Sequence, residues 1–307
     1  MEITPNVLMN TMLQNAQSQE QRIARLENEV ATGRVFQWPA DSPARVTTTM
    51  SLNQSLAVTN TYQSSVSAAN GWLNAAAGAL QNAQSVLQQV IATTTQALNG
   101  GLNSGDYKAL QQSVLGAMSS LRQAFNTQYQ GAYIFSGYQT QTQPVPNPVP
   151  AGWTWPGTAA DARTFQVGVS STVTVNVTGY EAVGQPAGTN YLQSTYQDLA
   201  TLVQDLASAN PPAAMAGPPA ILSNLKADAG YLSAAQSIVG ARLQRMQQTQ
   251  QHLQTLAYDL EQGVAYTSGA NMTTVATQLA QEQQAYQATL QSGARVLPLS
   301  LLNFITP

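Results

Sequence analysis

Hydrophobic positions fall three and four residues apart toward both ends of this chain, and the helix-breaking residues gather in its middle. Leu222, Leu225, Ala229, Leu232, Gln236, Val239, Leu243, Met246, Gln250, Leu253, Ala257, Leu260 and Val264 keep a strict 3-4 alternation, and the register returns as Ala276, Leu279, Gln283, Tyr286, Leu290, Gly293 and Leu297. Such an alternation makes a narrow apolar seam that a second helix must cover. Near the amino end Met9, Leu13, Ala16, Glu20, Ile23, Glu27 and Val30 repeat the spacing, with Leu26 widening the stripe. Both ends therefore call for helical partners.

The spacing predicts a first helix over 6–32, stopped by Gly33, whose tolerance of positive φ suits a helix end. A loop over 33–43 follows, in which Pro39 and Pro43 hold the residues before them extended, and Asp41 or Ser42 can cap the next helix. From 44 to 99 there is no proline. There Leu52, Leu56, Thr59, Gln63, Val66, Asn70, Leu73, Ala77, Leu80, Gln84, Leu87, Ile91, Thr94 and Leu98 predict one helix about 80 Å long at ~1.5 Å per residue. The Gly-rich stretch 99–105 reverses the chain, with Ser104 as the expected N-cap and Asp106 favourably set against the helix dipole. Tyr107, Leu110, Val114, Ala117, Leu121 and Ala124 then return as the second arm of a helical hairpin.

After Tyr133 the period becomes two, over 164–169 and at Val173, Val175 and Val177, while Pro144, Pro146, Pro148, Pro150 and Pro156 exclude helix from the preceding loop. A small β insertion is expected there. Helical spacing resumes at Leu192, Thr195, Leu199, Leu202 and Leu206, pauses over 210–219, and runs on into the long carboxyl-side seam.

Charged residues are only 8% of the 307 positions, with Gln, Asn, Ser and Thr supplying the polarity, against about one quarter in ordinary soluble chains. Such a surface repels copies of itself weakly. A net charge of -3 leaves no electrostatic footprint for nucleic acid or anionic membranes. No cysteine is present, which removes disulfides, thiolate metal sites and cysteine nucleophiles. The first residues lack a basic segment followed by an apolar run, and no stretch approaches the ~18 apolar residues of a membrane span. If the protein leaves the cell, the expectation is a route that cleaves no signal peptide, and no membrane insertion is expected.

Candidate chemistry is sparse. His252 has no cysteine or second histidine with which to build a metal site, and no H-E-x-x-H, G-x-S-x-G or P-loop pattern occurs. Gly100, Gly101 and Gly105 read as a turn, not a phosphate cradle. Asp198 and Asp205, two turns apart, read as a solvated face, and Trp153 and Trp155 as local packing of the Pro-rich loop. A hydrolase displayed on the β insertion would have only Asp161, Arg163 and Glu181 as charges. Glutamines inside the seams admit two readings: residues tolerated where helices diverge, or hydrogen-bonding groups that set register.

Leu26-Glu27-Asn28-Glu29-Val30-Ala31-Thr32-Gly33-Arg34, followed by Pro39-Ala40-Asp41-Ser42-Pro43, resembles the amino-terminal signature of the flagellin superfamily. Residues 286–290 and 299–305 are similar to its carboxyl-terminal motif. Ala132-Tyr133-Ile134-Phe135-Ser136-Gly137 and the short middle resemble the junction-forming hook-associated protein 3 type more than filament flagellin. The likeness covers 1–140 and 190–307. It departs from the family in having only Asp41 before the second proline and no acid at the helix start in 269–272.

This resemblance implies a mainly α, flagellin-like fold: an elongated antiparallel helical rod or coiled coil with a small β-rich outer insertion. It implies a terminal coiled-coil domain of 1–40 and 266–307, a rod domain of 41–131 and 190–265, and an insertion of 132–189. It further implies a structural, non-enzymatic protein of the extracellular bacterial flagellum, exported by the flagellar type III apparatus, without cofactor or metal. The partners implied are copies of itself in a ring, hook-associated protein 1, flagellin, and an export chaperone on the helix face of Leu279, Tyr286 and Leu290. Filament flagellin is the alternative. The assembly interface is expected at Met9, Leu13, Ile23, Leu26, Val30, Val275, Leu279, Tyr286, Leu290 and Leu297. Helices whose stripes lack a partner within the chain are marginal alone, so these ends are expected to order as neighbouring copies cover them.

Overall fold

The computed structural model describes residues 5–180, 188–217 and 220–305, without the side chains of 5, 6, 8 and 295–305. In order the elements are α1 (Pro5–Thr32), α2 (Pro43–Leu98), α3 (Ser104–Phe125), β1 (Gln128–Tyr129), β2 (Ala132–Tyr133), β3 (Thr164–Gly168), β4 (Ser171–Thr174), α4 (Tyr191–Leu206), α5 (Pro211–Ala216), α6 (Ile221–Ser268) and α7 (Met272–Ile305). They form two compact units, Met1–Val58 with Leu256–Pro307, and Thr59–Thr255; α2 and α6 contribute to both.

The larger unit is built on α2 and α6, which run antiparallel. Gln63 donates to the Leu253 carbonyl at 3.0 Å, Asn70 to Gln250 Oε1 at 3.2 Å, and Gln236 to the Leu80 carbonyl at 3.0 Å. Seam glutamines on both helices thus cross-link them and hold one register. On α6, Leu225, Leu232, Val239, Met246 and Leu253 are buried as their heptad spacing requires. On α2 the stripe is wider than expected. Val66, Leu73, Leu80, Leu87 and Thr94 are buried, but so are Ala69, Ala76, Ala83, Val90 and Ala97, whereas Asn70, Ala77, Gln84, Ile91 and Leu98 are only half-buried. More than one neighbour covers this helix: α6 reaches it through the bonds above, and α3 through Tyr107, whose hydroxyl donates to the Ala97 carbonyl at 3.3 Å.

Helix α3 is capped by Asn103, not by Ser104. The Asn103 side chain accepts from the Gly105 and Asp106 amides at 2.8 and 3.0 Å, and Asp106 accepts from the Asn103 amide at 2.9 Å. This capping box satisfies three donors that a helix start leaves open. Beyond α3, the two-residue strands β1 and β2 turn through Gln130 and Gly131, both at positive φ, which matches the right-handed twist of a tight hairpin. Tyr129 is edge-on to Trp72 at 6.1 Å. A Cβ at Gly71 would collide with the Tyr129 ring and hydroxyl, so glycine leaves this hairpin its seat on α2.

The alternating segment pairs as β3 and β4 with an irregularity between Gln166 and Gly168. It stops sooner than the spacing predicts: Val175 and Val177 lie beyond β4 yet are buried. The Val175 amide still donates to the Arg163 carbonyl at 2.9 Å, but the Arg163 amide turns to the Asn176 side chain at 2.8 Å, which also donates to the Asp161 carbonyl at 2.5 Å, and the ladder ends there. The tryptophans are packing residues. Trp155 donates to the Phe135 carbonyl at 2.9 Å and lies edge-on to Phe125, while Trp153 donates to the Pro144 carbonyl at 3.1 Å and meets Tyr196.

Asp198 does not sit on a solvated face. It is half-buried on α4 with its Oδ1 3.4 Å from the Asn224 side-chain nitrogen, and it meets Asp228 from α6, whose residue is 2% exposed.

Candidate assembly interface

In the smaller unit α1 and α7 pack against each other. Their junction is fixed where both chain segments break helix. Gly33, at φ 67°, ends α1, and Gly269 separates α6 from α7. Arg34 and Gly269 form an isolated antiparallel bridge, with the Val35 amide donating to the Ser268 carbonyl at 3.0 Å and the Ala270 amide to the Gly33 carbonyl at 2.9 Å. Asn271 accepts from the Thr274 amide at 3.3 Å, so an amide oxygen serves where the resemblance leads one to expect an acid. Asp41 does not cap α2. Its carboxylate accepts from the Gln37 and Trp38 amides at 3.0 and 2.9 Å, and these two bonds hold its pKa below the ordinary value. It closes the preceding loop, and the Ser42 carbonyl takes the first helical amide, from Val46 at 3.0 Å.

Away from that clasp the packing thins. Val275 is 6% exposed, and Ile23, Leu26, Val30, Leu279 and Tyr286 are half-buried. Met9, Leu13 and Leu290 stand 45%, 52% and 51% exposed. Leu297 lies outside the residues whose side chains are described, as does Glu181 of the insertion. The side of the α1–α7 pair nearest the clasp is polar. Arg22 meets Glu282 at 3.0 Å, Arg25 meets Glu29 at 3.1 Å, and a groove of about 780 Å³ opens between Gln19, Leu26, Val35, Gln278 and Gln281.

Further exposed apolar side chains in this unit escaped the periodicity reading. Trp38, Met50, Val58, Leu256, Tyr258, Tyr266 and Met272 all project from it. Met50 and Val58 are eight residues apart on α2, and so are Tyr258 and Tyr266 on α6. At 3.6 residues per turn that spacing leaves the second residue about 80° round the helix from the first, so neither pair forms a narrow stripe that periodicity would have marked.

Among the described residues no group of three or more His, Cys, Asp and Glu could hold a metal ion, and no helix is long and apolar enough to cross a membrane. His252 is exposed.

The family model of the bacterial flagellin N-terminal helical region matches residues 3–140. Over that stretch the chain is similar to a flagellin amino-terminal region. That region takes in α1, the clasp loop, α2, α3 and the β1–β2 hairpin, so the flagellin-type match includes one wall of the interface and the first half of the larger unit. Solved structures extend the likeness. A Vibrio parahaemolyticus protein assigned to the flagellar hook-associated proteins matches with a TM-score of 0.65 at 18% identity, over 74% of this chain and 99% of its own. Flagellar hook associated protein-3 from Legionella pneumophila matches with 0.57 at 18% identity, over 69% and 97%. The flagellar junction protein FlgL from Legionella pneumophila matches with 0.54 at 17%, over 74% and 100%. The fold is therefore flagellin-like and mainly helical. Among curated proteins no sequence match to the chain is found.

Proposed function

We propose that this chain is a structural axial protein of the bacterial flagellum that joins hook-associated protein 1 to the flagellin filament. The observation that carries the reading is the state of the smaller unit, whose helices leave Met9, Leu13, Leu290, Tyr258 and Tyr266 open to solvent. Burying such side chains contributes about 1.5–3 kcal/mol each, and neighbouring copies are the natural source of that cover. The flagellin-type amino-terminal match and the fold shared with a junction protein supply the partner class. On this reading Met9, Leu13, Ile23, Leu26, Val30, Val275, Leu279, Tyr286, Leu290 and Leu297 pack between copies in a ring outside the cell. An export chaperone holds the face of Leu279, Tyr286 and Leu290 until delivery, and the role is architectural, with no catalytic step.

The test is assembly on a defined end. Purified chain added to sheared filaments capped with hook-associated protein 1 should add one layer and stop, and flagellin should then extend from it. Long polymers of this chain alone would make it a filament subunit, and failure to bind the capped end would remove the junction role.

A further inference from the structure

We propose that Asp198 and Asp228 share one proton between α4 and α6, fastening the two helices while they hold it and pushing them apart when it is lost. The reading is independent of the flagellar role. Asp228 is 2% exposed, and its Oδ2 is buried without a hydrogen-bond partner. One turn back on α6, the side chain of Asn224 donates to Asp198 Oδ1 at 3.4 Å, which brings the Asp198 carboxyl over the same face. The two carboxyl groups face each other closely enough to interact directly. Ionised carboxylates only accept, so a bond between them requires that one carry a proton.

Among the described residues no cation stands in for that proton. Helix α2 has no charged residue after Arg45 and α5 has none. Lys226 on α6 and Lys108 on α3 are exposed, and Arg122 on α3 lies beside Tyr196 and reaches Ser119 Oγ at 3.5 Å. Asp205, two turns along α4, would add only further negative charge. Thr195, fully buried on α4, is the remaining polar contact of Asp228, and its hydroxyl already donates to the Tyr191 carbonyl at 2.7 Å. Two ionised carboxylates here would leave buried charge uncompensated, which is costly.

Burial, then the facing Asp198, push the Asp228 pKa up to about 8, and burial raises Asp198 as well. The sign follows directly. Between the ordinary carboxyl value and about 8 the folded chain holds more protons than the unfolded one, so stability falls as pH rises through that window and levels off above it.

The experiment is thermal unfolding of the full chain from pH 5 to pH 9 in buffer containing a chelator, beside Asp228→Asn, which donates an amide N–H where the proton sits. The wild-type Tm should drop by at least about 5 °C more than that of Asp228→Asn across the range, and the variant should exceed wild type at pH 9. Asp198→Asn should flatten the profile in the same way, and it decides the matter if Asp228→Asn does not fold. An infrared band of a protonated carboxyl should persist in wild type at pH 7 and be missing from either variant. Parallel pH profiles, or absence of that band, would overturn the shared proton. So would a rise in wild-type Tm on adding calcium at pH 8 that the variants lack, since the pair would then be holding a metal ion.

Discussion

The two units of this chain are made from the same kind of helix and bury their apolar residues very differently. In the larger unit a continuous core links Val66, Leu73, Leu80 and Leu87 on α2 with Leu121 and Phe125 on α3, Leu199 and Leu202 on α4, and Leu225 to Leu253 on α6. In the smaller unit only Ala257 and Val275 among the described apolar residues are buried, and neither belongs to that core. A helix gains most of its stability from a packed apolar face, not from its own hydrogen bonds. The larger unit therefore has what it needs within one chain, whereas the smaller unit leaves most of its described apolar side chains uncovered.

Hydrogen exchange on the dilute full chain offers the largest effect. Amides of α1 and α7 should exchange near the rate of a frayed segment, and those of α2 after Thr59 should reach the protection set by global unfolding. Limited proteolysis should agree, removing about the first 35 and last 40 residues and leaving the middle intact. Equal protection in both units would erase the contrast and with it the argument for borrowed cover.

Single truncations sharpen the comparison next. Leu80→Ala opens a cavity beneath a fully buried side chain, at a cost of about 2–5 kcal/mol in urea unfolding. Leu13→Ala removes a side chain that is 52% exposed and should change stability by no more than about 0.5 kcal/mol. Its effect belongs in assembly, read as weaker sedimentation with capped filament ends. A loss of similar size from both variants in the dilute chain would mean that the smaller unit has a core of its own.

Leu253 and Leu290 show what periodicity can and cannot tell. Both occupy seam positions of the same 3-4 alternation, yet one is 4% exposed and the other 51%. Spacing reveals that a helix has a face to cover, but not whether the cover lies within the same chain. The helical hairpin, the long α6 seam and the stop at Gly33 were legible because each depends on neighbours a few residues away. The Asp198–Asp228 pair was not, since only the tertiary approach of α4 to α6 joins residues thirty positions apart. The alanines of α2 were missed for a related reason. Small side chains carry little periodic signal, and a second neighbour on α2 turned Ala69, Ala76 and Ala83 into core. Within the interface, the clasp residues stand out through glycine, whereas Tyr258 and Tyr266 lie off the seam that directed attention elsewhere.

Capping gives a smaller but well-defined contrast. Asn103→Ala removes an acceptor used by two amides at the start of α3 in the larger unit and should cost about 1 kcal/mol in urea unfolding. Asn271→Ala removes a longer bond, 3.3 Å to the Thr274 amide, at the start of α7. If α7 is already frayed in the free chain, that loss should scarcely register in unfolding and should be felt only after assembly.

The smallest effect bears most directly on how far the smaller unit holds itself together. Arg22 and Glu282 form the ion pair that joins α1 to α7, and their side chains remain 50% and 27% exposed. A pair so open to water contributes about 0.2–1 kcal/mol and weakens with salt. A double-mutant cycle of Arg22→Gln and Glu282→Gln in the dilute chain should return a coupling at the low end of that range, because frayed helices hold the two groups together only part of the time. In assembled rings the same cycle should return a larger coupling, since neighbours would pin both helices and exclude water from the polar groove beside the pair. Equal couplings in the two states would mean that α1 and α7 are already fixed in the free chain, and the exposed leucines would then need an explanation other than delayed ordering.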